Sequence, residues 1–169
     1  QVVGCAQIIA VAINEHRLAM AEEHGATEVE NPSKTAAVAA IHALAGGEGV
    51  QYSLECTGIP AVVRQAVDSL RLTGVCGIQG VAPLGTEVVL DFAGLLFGRT
   101  VRGIIEGDSI PSVFIPQLIA LWRQGRFPFD RLVKYYPLSD IQEAVRASEE
   151  GEVIKAILLP DSPGVGDDG

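Results

Sequence analysis

The sequence predicts an α/β fold in which helices cover both faces of a mostly parallel sheet. Short runs of β-branched and other apolar residues alternate along the chain with segments of helical periodicity, the pattern of strand-helix-strand units. Asn, Gly and Pro residues stand at the boundaries of these segments, where caps and turns favour them. With 169 residues, of which 48% are hydrophobic, the chain is long enough for one domain with a sizeable core.

Each predicted strand is a short apolar or β-branched run bounded by turn residues. Residues 50–55 alternate between apolar and polar side chains, as in a half-buried strand, whereas 74–79 are small and apolar, as in a buried one. In chain order, we predict strands or extended segments at 7–12, 27–29, 50–55, 74–79, 87–92, 100–105, 132–136 and 153–159.

The predicted helices start and stop at recognisable signals. Asn14 is placed to cap the first helix, and Pro60 suits the first turn of the third. Ser139 and Gln142 match a capping box at the start of the last helix, which Gly151 ends. In chain order, we predict helices at 15–24, 36–45, 60–70, 111–124 and 139–150.

Two further features concern packing and domain limits. Four large apolar residues at roughly one-turn spacing predict that the helix over 111–124 packs as an amphipathic element. These residues are Phe114, Leu118, Leu121 and Trp122. Residues 161–169 are rich in Gly and Asp and have little apolar content, which predicts a disordered tail after a single domain over 1–160.

Composition excludes several classes of partner. A net charge of −9 and a sequence pI near 4.7 argue against nucleic acid and anionic membranes, which attract basic proteins. Three cysteines without a C-x-x-C pair indicate neither a zinc knuckle nor a disulfide framework, and therefore a reducing, cytoplasmic setting. No apolar run reaches the length of a membrane span, and no signal peptide is evident.

Isolated polar residues have ordinary interpretations. The three histidines, His16, His24 and His42, are not arranged with Cys or carboxylate residues in a metal-ligand pattern, so we predict that they lie at the surface. Cys56 has no histidine near it in sequence to activate the thiol, which favours a small buried side chain over a nucleophile. We therefore predict no catalytic residue and no metal site in this chain.

The passage from a strand at 7–12 into a helix resembles the second strand of a Rossmann-type dinucleotide-binding fold. Residues 1–5 match the end of the preceding helix, and no G-x-G-x-x-G occurs in the sequence. We therefore expect the first strand and its glycine-rich loop to be missing. Because that strand lies between the second and the fourth in the usual order, its absence would leave a gap that needs closure, rearrangement or a partner.

Taken in order, the motifs resemble the cofactor-binding half of the medium-chain, zinc-dependent alcohol dehydrogenases, especially the aryl-alcohol (benzyl-alcohol) branch. No single segment is diagnostic, but their order and spacing together are specific. The segments that carry the resemblance are 8–12, 18–21, 25–27, 55–58, 80–81, 98–109, 125–130 and 151–155.

The resemblance implies a role in cofactor binding for twelve residues. On the adenosine side, it places Ala12, Asn14 and Arg17 beside the ribose, and Cys56, Thr57 and Gly58 under the adenine and ribose. On the nicotinamide side, it places Gln79, Gly80 and Val81 at the amide, and Ile104 and Ile105 beside the ring. Lys155 is placed at the pyrophosphate.

The family position held here by Ala12 usually carries an acidic residue, which binds the ribose hydroxyls of NAD and repels the 2′-phosphate of NADP. Ala12 removes both effects. Arg17 and the first-turn amides of its helix favour a phosphate, whereas Glu15 brings a negative charge into the same turn. We expect either NADP or NAD as cofactor, with NADP preferred.

The resemblance further implies that the parent enzyme oxidises a primary, aromatic or allylic alcohol. In such enzymes zinc polarises the alcohol oxygen and hydride passes to the nicotinamide. The family's zinc ligands and proton relay lie in an N-terminal domain that this chain does not contain, so we expect the chain alone to be inactive.

Two alternatives remain open. The first is that the chain acts as a non-catalytic binding or assembly module. The stretch over 88–105 matches the subunit interface of the resembling enzymes, which implies a homodimer or tetramer. Otherwise, it is a relative of the zinc-free quinone reductases, which share the fold. Residues 107–109 and 127–130 favour the alcohol dehydrogenase branch.

Overall fold

The computed structural model describes residues 2–160, which form an α/β fold with seven strands and six α-helices. The strands are β1 (Ile9–Val11), β2 (Glu28–Glu30), β3 (Val50–Glu55), β4 (Leu70–Ile78), β5 (Thr100–Gly103), β6 (Val133–Pro137) and β7 (Lys155–Leu159). The helices are α1 (Glu15–Glu23), α2 (Ala37–Leu44), α3 (Pro60–Asp68), α4 (Phe92–Leu96), α5 (Pro111–Arg123) and α6 (Ile141–Glu149). The tail predicted at 161–169 lies outside the described residues.

The strands are distributed over three sheets with the orders β1-β2, β3-β4-β5 and β6-β7. The pairs β3-β4, β4-β5 and β6-β7 are parallel, which confirms the predicted α/β class. Within the described residues, β1 pairs with β2 alone and β3 with β4 alone. None of the described helices is both long and apolar enough to cross a lipid bilayer.

The chain divides into two compact units. Among the described residues, unit 1 comprises 2–29 and 115–160, and unit 2 comprises 30–114. The division falls inside β2 and α5. Each unit has its own core, and each is described separately below.

The core of unit 2 lies around the start of β4. Val67 of α3 packs with Leu70 and Cys76 of β4, and all three side chains are buried. Strand β4 is irregular at its start, where Thr73 has a φ of 62° and the register with β3 shifts. The guanidinium of Arg99 holds this irregular segment, since its Nη2 donates to the carbonyl oxygen of Leu70 at 2.5 Å.

The core of unit 1 is built from the β6-α6-β7 segment. Tyr136 of β6, Ala144 and Ala147 of α6, and Val153 are buried together, with half-buried residues of β7 against them. The α6 surface carries an ion-pair network in which Arg146 contacts the carboxylates of Glu143, Glu150 and Glu152. Each contact is exposed and contributes little to stability alone.

Local signals predicted several boundaries correctly. Asn14 caps α1, because its Oδ1 accepts the backbone N–H of Arg17 at 3.2 Å. Gly25 and Gly151 follow the helices they were predicted to end and have positive φ angles of 105° and 72°. Strand β3 has the predicted bounds.

Other predicted elements are wrong. Residues 87–92 contain no strand, and Phe92 instead begins α4, because the carboxylate of Asp91 accepts the N–H of Gly94 at 2.9 Å and starts a helical turn. The capping box is absent, since Ser139 lies in a 3₁₀ turn and its hydroxyl donates to Asp140 at 3.0 Å. Helix α5 contains no buried residue, although Leu118 and Leu121 are half-buried.

The contact between Asn14 and Gly151 gives a testable prediction. A Cβ at Gly151 would lie 2.5 Å from Asn14 Nδ2, whereas a Cβ at Gly125, another helix-ending glycine with positive φ, meets nothing within 4 Å. Gly125→Ala should cost about 1–2 kcal/mol of unfolding free energy through backbone strain alone. Gly151→Ala should cost about 0.5–1 kcal/mol more, because the Asn14 amide must rotate and weaken its N-cap hydrogen bond.

Urea unfolding measures both costs. In an Asn14→Ala background, the cost of Gly151→Ala should fall to that of Gly125→Ala, because the clash partner is gone. Equal costs of the two glycine substitutions in the wild-type background would show that Asn14 does not crowd Gly151.

Candidate cofactor-binding site

The parallel strands of unit 2 bring three loops to one edge of their sheet. Glu55 at the end of β3 pairs with Ile78 at the end of β4, and Ile78 pairs with Gly103 at the end of β5. The loops that follow, at 56–58, 79–81 and 104–105, therefore start at the same level. The carboxyl edge is where ligands bind in open parallel sheets.

Glu55 connects the first two loops through both its backbone and its side chain. Its carbonyl oxygen accepts the N–H groups of Gln79 and Gly80 at 2.8 and 3.0 Å. Its carboxylate accepts the N–H of Thr57 at 2.6 Å, the Thr57 hydroxyl, and the N–H of Gly58 at 3.1 Å. The side chain is only 2% exposed, so these donors replace the water that it would bind in solution.

The role of Glu55 was missed in the sequence, where it appears as the last residue of a strand and within one of the segments that carry the resemblance. A signal was present in the alternation of β3, which puts Glu55 on the same face as Ser53. That face is covered by α3, because the Ser53 hydroxyl donates to the Ala66 carbonyl oxygen at 2.8 Å. Among the described residues Glu55 forms no salt bridge, so its stabilisation depends on the loop donors.

Two glycines allow these loops to touch. A Cβ at Gly80 would lie 2.0 Å from the Gly58 nitrogen and 2.7 Å from Glu55 Oε2. A Cβ at Gly58, where φ is 71°, would lie 2.1 Å from the Val81 carbonyl oxygen. No other residue type fits either position without moving the backbone. The site therefore has the small residues and close backbone approach that a dinucleotide requires.

The exposed ends of the second and third loops are apolar. Val81 is 90% exposed and Ile105 is 81% exposed, whereas Ile104 is half-buried and its N–H donates to the Ile78 carbonyl oxygen at 2.8 Å. No hydrogen bond found within the described residues uses the backbone N–H or carbonyl of Val81. These features fit a flat ring that carries an amide, as the nicotinamide does.

A strained turn follows Ile105. Glu106, Gly107 and Asp108 all have positive φ angles, of 48°, 70° and 52°, an unfavourable conformation for the two that are not glycine. The Asp108 N–H donates to the Ile105 carbonyl oxygen at 2.8 Å, and the Asp108 carboxylate forms an ion pair with Arg102. These contacts fix the backbone on the far side of Ile105.

Cys56 is exposed, so the prediction that its side chain is buried is wrong. The buried cysteine of unit 2 is Cys76. Cys56 Sγ lies 3.9 Å from Gln79 Oε1. Partial burial of the thiol and, secondly, the charge of Glu55 raise the pKa of Cys56, which keeps the sulfur protonated and unsuited to nucleophilic attack.

Four of the predicted residues lie in unit 1. Ala12 is half-buried after β1, Asn14 caps α1, and Arg17 is exposed in the first turn of that helix. Asn14 packs against the backbone of Gly151, and Lys155 begins β7 four residues later with its side chain exposed. The remaining eight predicted residues are those at the carboxyl edge in unit 2.

The described residues contain no group of three or more His, Cys, Asp or Glu side chains that could hold a metal ion. They therefore do not fit a zinc site. His16 is exposed, as predicted, but His24 and His42 are half-buried. The Nε2 of His42 lies 3.0 Å from the Asp68 carbonyl oxygen, a structural contact within unit 2.

Comparison with known proteins adds a family match. Residues 1–122 match the sequence profile of the zinc-binding dehydrogenases. The geraniol dehydrogenase of Castellaniella defragrans is 38% identical over 159 residues, which cover 93% of this chain and 42% of that enzyme. The chain thus spans about two fifths of the length of this relative.

Solved structures agree with the family match. An alcohol dehydrogenase zinc-binding domain protein from Burkholderia ambifaria is 50% identical, with a TM-score of 0.89 over 93% of this chain and 42% of that one. The benzyl alcohol dehydrogenase of Acinetobacter calcoaceticus is 42% identical, with a TM-score of 0.90 over 93% of this chain and 43% of that one. The predicted resemblance is confirmed.

The contact of Gly80 with Gly58 gives a prediction for this edge of the sheet. Gly80→Ala should lower the free energy of unfolding by roughly 1–3 kcal/mol, because the new methyl group forces the two loops apart. Gly103→Ala is a matched control, since its Cβ meets nothing within 4 Å and its φ is not positive. That control should change stability by no more than about 0.5 kcal/mol.

Chemical denaturation followed by circular dichroism compares the two variants. Equal stability of Gly80→Ala and Gly103→Ala would contradict the close approach of the loops.

Proposed function

The chain belongs to the zinc-binding dehydrogenase family, and on that basis we propose that it is the nicotinamide-cofactor-binding part, over residues 1–160, of an alcohol dehydrogenase. Enzymes of this family use a nicotinamide dinucleotide and zinc. The proposal for this chain concerns which residues bind the cofactor, which cofactor is preferred, and what the whole protein oxidises.

The observation that carries the proposal is the carboxyl edge of unit 2. Gly58 and Gly80 permit close backbone approach, and the buried Glu55 carboxylate orders the loop between β3 and α3. We assign the exposed Val81 and Ile105 to contact with the nicotinamide. In this arrangement the backbone of Val81 hydrogen-bonds the carboxamide and orients the ring, while the apolar side chains exclude water from its face.

The bound cofactor supplies the hydride chemistry, and the residues of this chain supply its position. In the proposed arrangement, Cys56, Thr57, Gly58, Gln79, Gly80, Val81, Ile104 and Ile105 of unit 2 contact the cofactor. The strained turn after Ile105 supports this assignment, because its ion pair and hydrogen bond restrict the movement of that residue.

The residues of unit 1 concern cofactor choice. Ala12 offers no carboxylate to bind the ribose hydroxyls, and Arg17 in the first turn of α1 offers a guanidinium. A 2′-phosphate is favoured by both features, so we propose a preference for NADP over NAD. Lys155, exposed at the start of β7, is proposed to contact the pyrophosphate.

The whole protein is proposed to oxidise a primary alcohol of the aromatic or allylic type. The names of two relatives support this class, because geraniol is an allylic alcohol and benzyl alcohol an aromatic one. No metal-binding group occurs within residues 2–160. We therefore propose that the zinc ligands lie in a part of the whole protein that this chain does not span.

A second candidate function is assembly into a homodimer or tetramer through 88–105. Several large apolar side chains of this stretch are exposed, including Val89 at 82% and Phe92 at 79%. Apolar surface of this kind favours contact with another chain. Light scattering separates the candidates, since a monomer that binds cofactor would exclude an assembly role for this chain.

Cofactor titration tests the binding proposal. Calorimetry with this chain should give saturable binding that is tighter for NADPH than for NADH. Ala12→Asp should weaken NADPH and tighten NADH by roughly two- to tenfold each, because a carboxylate repels the phosphate and accepts the ribose hydroxyls.

Ala19→Asp is the matched control, since it adds the same charge at an exposed position of α1. It should leave the ratio of the two dissociation constants unchanged. Tighter binding of NADH by the wild-type chain would overturn the NADP preference, and binding of neither cofactor would overturn the proposal that this chain holds a cofactor site.

A turnover assay tests whether this chain is inactive by itself. The purified chain with NADP⁺ or NAD⁺ and benzyl alcohol or geraniol should produce no reduced nicotinamide, because the described residues offer no group to activate the alcohol. The absorbance of the reduced cofactor measures this. Sustained turnover that survives treatment with a chelator would contradict the need for a zinc-bearing part.

A further inference from the structure

A strained turn lies directly after Ile105, one of the proposed nicotinamide contacts. Within the described part of the chain, three residues other than glycine have positive φ angles. Two of them, Glu106 and Asp108, belong to this turn, with φ angles of 48° and 52°, and the third is Thr73 at the start of β4. Such backbone is unfavourable for a residue with a Cβ, persists only where other contacts hold it, and is concentrated at functional sites.

Ile105 depends on this turn for its position, whereas its neighbour Ile104 is held by the sheet. The Ile104 N–H donates to the Ile78 carbonyl oxygen at 2.8 Å, and a Cβ at Gly77 would lie 2.6 Å from Ile104 Cδ1. The Ile105 side chain is 81% exposed. Within the described residues its backbone takes part in one hydrogen bond, in which its carbonyl oxygen accepts the Asp108 N–H at 2.8 Å.

An ion pair holds Asp108 in this conformation. The Asp108 carboxylate contacts the guanidinium of Arg102, which belongs to β5, so the pair closes the chain across 103–107. On the other side of the turn, the Ser109 hydroxyl donates to the Glu106 carbonyl oxygen at 2.8 Å. Without the ion pair, less would oppose the strain, and the backbone that holds Ile105 would relax.

We propose that Arg102 and Asp108 are positioning residues for the nicotinamide, which hold the strained turn in place and thereby keep Ile105 against the ring. The inference rests on the proposed cofactor-binding function and deepens it. In this arrangement the ion pair acts only through Ile105, so its effect is confined to the ring and does not extend to the adenosine half of the cofactor.

Ligands with and without the ring isolate this effect. Calorimetry of this chain compares NADPH with 2′-phospho-ADP-ribose, and NADH with ADP-ribose, because each pair differs only in the nicotinamide. Asp108→Asn and Arg102→Gln should each weaken the reduced cofactor by roughly two- to fivefold, the range for an exposed ion pair. Both should leave the ring-free analogue unchanged. Asn tolerates positive φ as Asp does, so Asp108→Asn removes the charge without adding strain.

Combined variants test how the ion pair acts. Arg102→Gln with Asp108→Asn should weaken the reduced cofactor no more than either change alone, because both remove one interaction. Glu106→Gly added to Asp108→Asn should restore most of the lost affinity, since glycine adopts positive φ without strain.

Glu106→Ala in the Asp108→Asn background is the matched control for the loss of strain. It removes the same carboxylate, which forms no ion pair within residues 2–160, but it keeps the Cβ that causes the strain. It should restore no affinity.

Asp68→Asn is the control for the loss of an exposed ion pair elsewhere in unit 2. Asp68 pairs with Arg64 at the end of α3 that leads into β4, and therefore lies away from the carboxyl edge. It should leave all four ligands unchanged. The fluorescence of the bound reduced cofactor reports the surroundings of the ring, and it should move towards that of the free cofactor in Asp108→Asn only. Thermal unfolding checks that each variant is folded.

Four results would overturn the inference. Equal weakening of the reduced cofactor and its ring-free analogue would show that the ion pair acts on the shared part of the cofactor or on the fold. The others are unchanged cofactor binding in both single variants, no rescue by Glu106→Gly, and wild-type binding of the reduced cofactor no tighter than that of its analogue. Each of these leaves the proposed function intact, whereas binding of none of the four ligands would overturn the proposed function with it.

Discussion

The buried carboxylate of Glu55 is the constraint on which the candidate site of unit 2 depends. A charged group that is 2% exposed and has no salt bridge within the described residues needs strong donors nearby. Thr57 and Gly58 supply them only because the chain turns tightly after β3. The loss of one donor to such a group lowers the free energy of unfolding by about 1–3 kcal/mol. The total for a domain is only about 5–15 kcal/mol. That turn places Gly58 against Val81, which leaves no room for a side chain.

The parallel sheet then extends this constraint from strand to strand. The carbonyl of Glu55 receives the N–H of Gln79, and the carbonyl of Ile78 receives the N–H of Ile104, each at 2.8 Å. The loop after β4 is therefore bonded to the end of β3, and the loop after β5 is bonded to the end of β4. The apolar side chains that follow, including that of Ile105, remain exposed because the backbone bonds are already complete at the sheet edge. A ligand that carries a flat ring would cover these exposed apolar groups, which lie beside closely packed backbone.

Local signals in the sequence were sufficient where one residue decides the backbone. Asn14 caps α1 as predicted because its interaction spans only three residues. Local signals failed where a different short-range hydrogen bond forms. Asp91 caps a helical turn where a strand was predicted. The Ser139 hydroxyl donates to Asp140, whereas the predicted capping box requires it to accept a helix N–H. The burial of Glu55 and the exposure of Cys56 depend on which face of β3 is covered by α3. Strand alternation assigns the two residues to opposite faces, but it does not say which of these faces is buried. The family resemblance identified the loops, whereas their mutual contacts came from the structure.

The cofactor preference proposed for unit 1 depends on small electrostatic differences. Two unit charges about 6 Å apart interact by roughly 0.7 kcal/mol in water and by roughly 3 kcal/mol at an effective dielectric constant near 20. In the first turn of α1, the charge of Arg17 is opposed by that of Glu15, so replacing an acidic residue with Ala12 removes a repulsion without creating a strong attraction. The balance for a 2′-phosphate therefore amounts to about 1–3 kcal/mol, an amount that a single nearby charge can reverse.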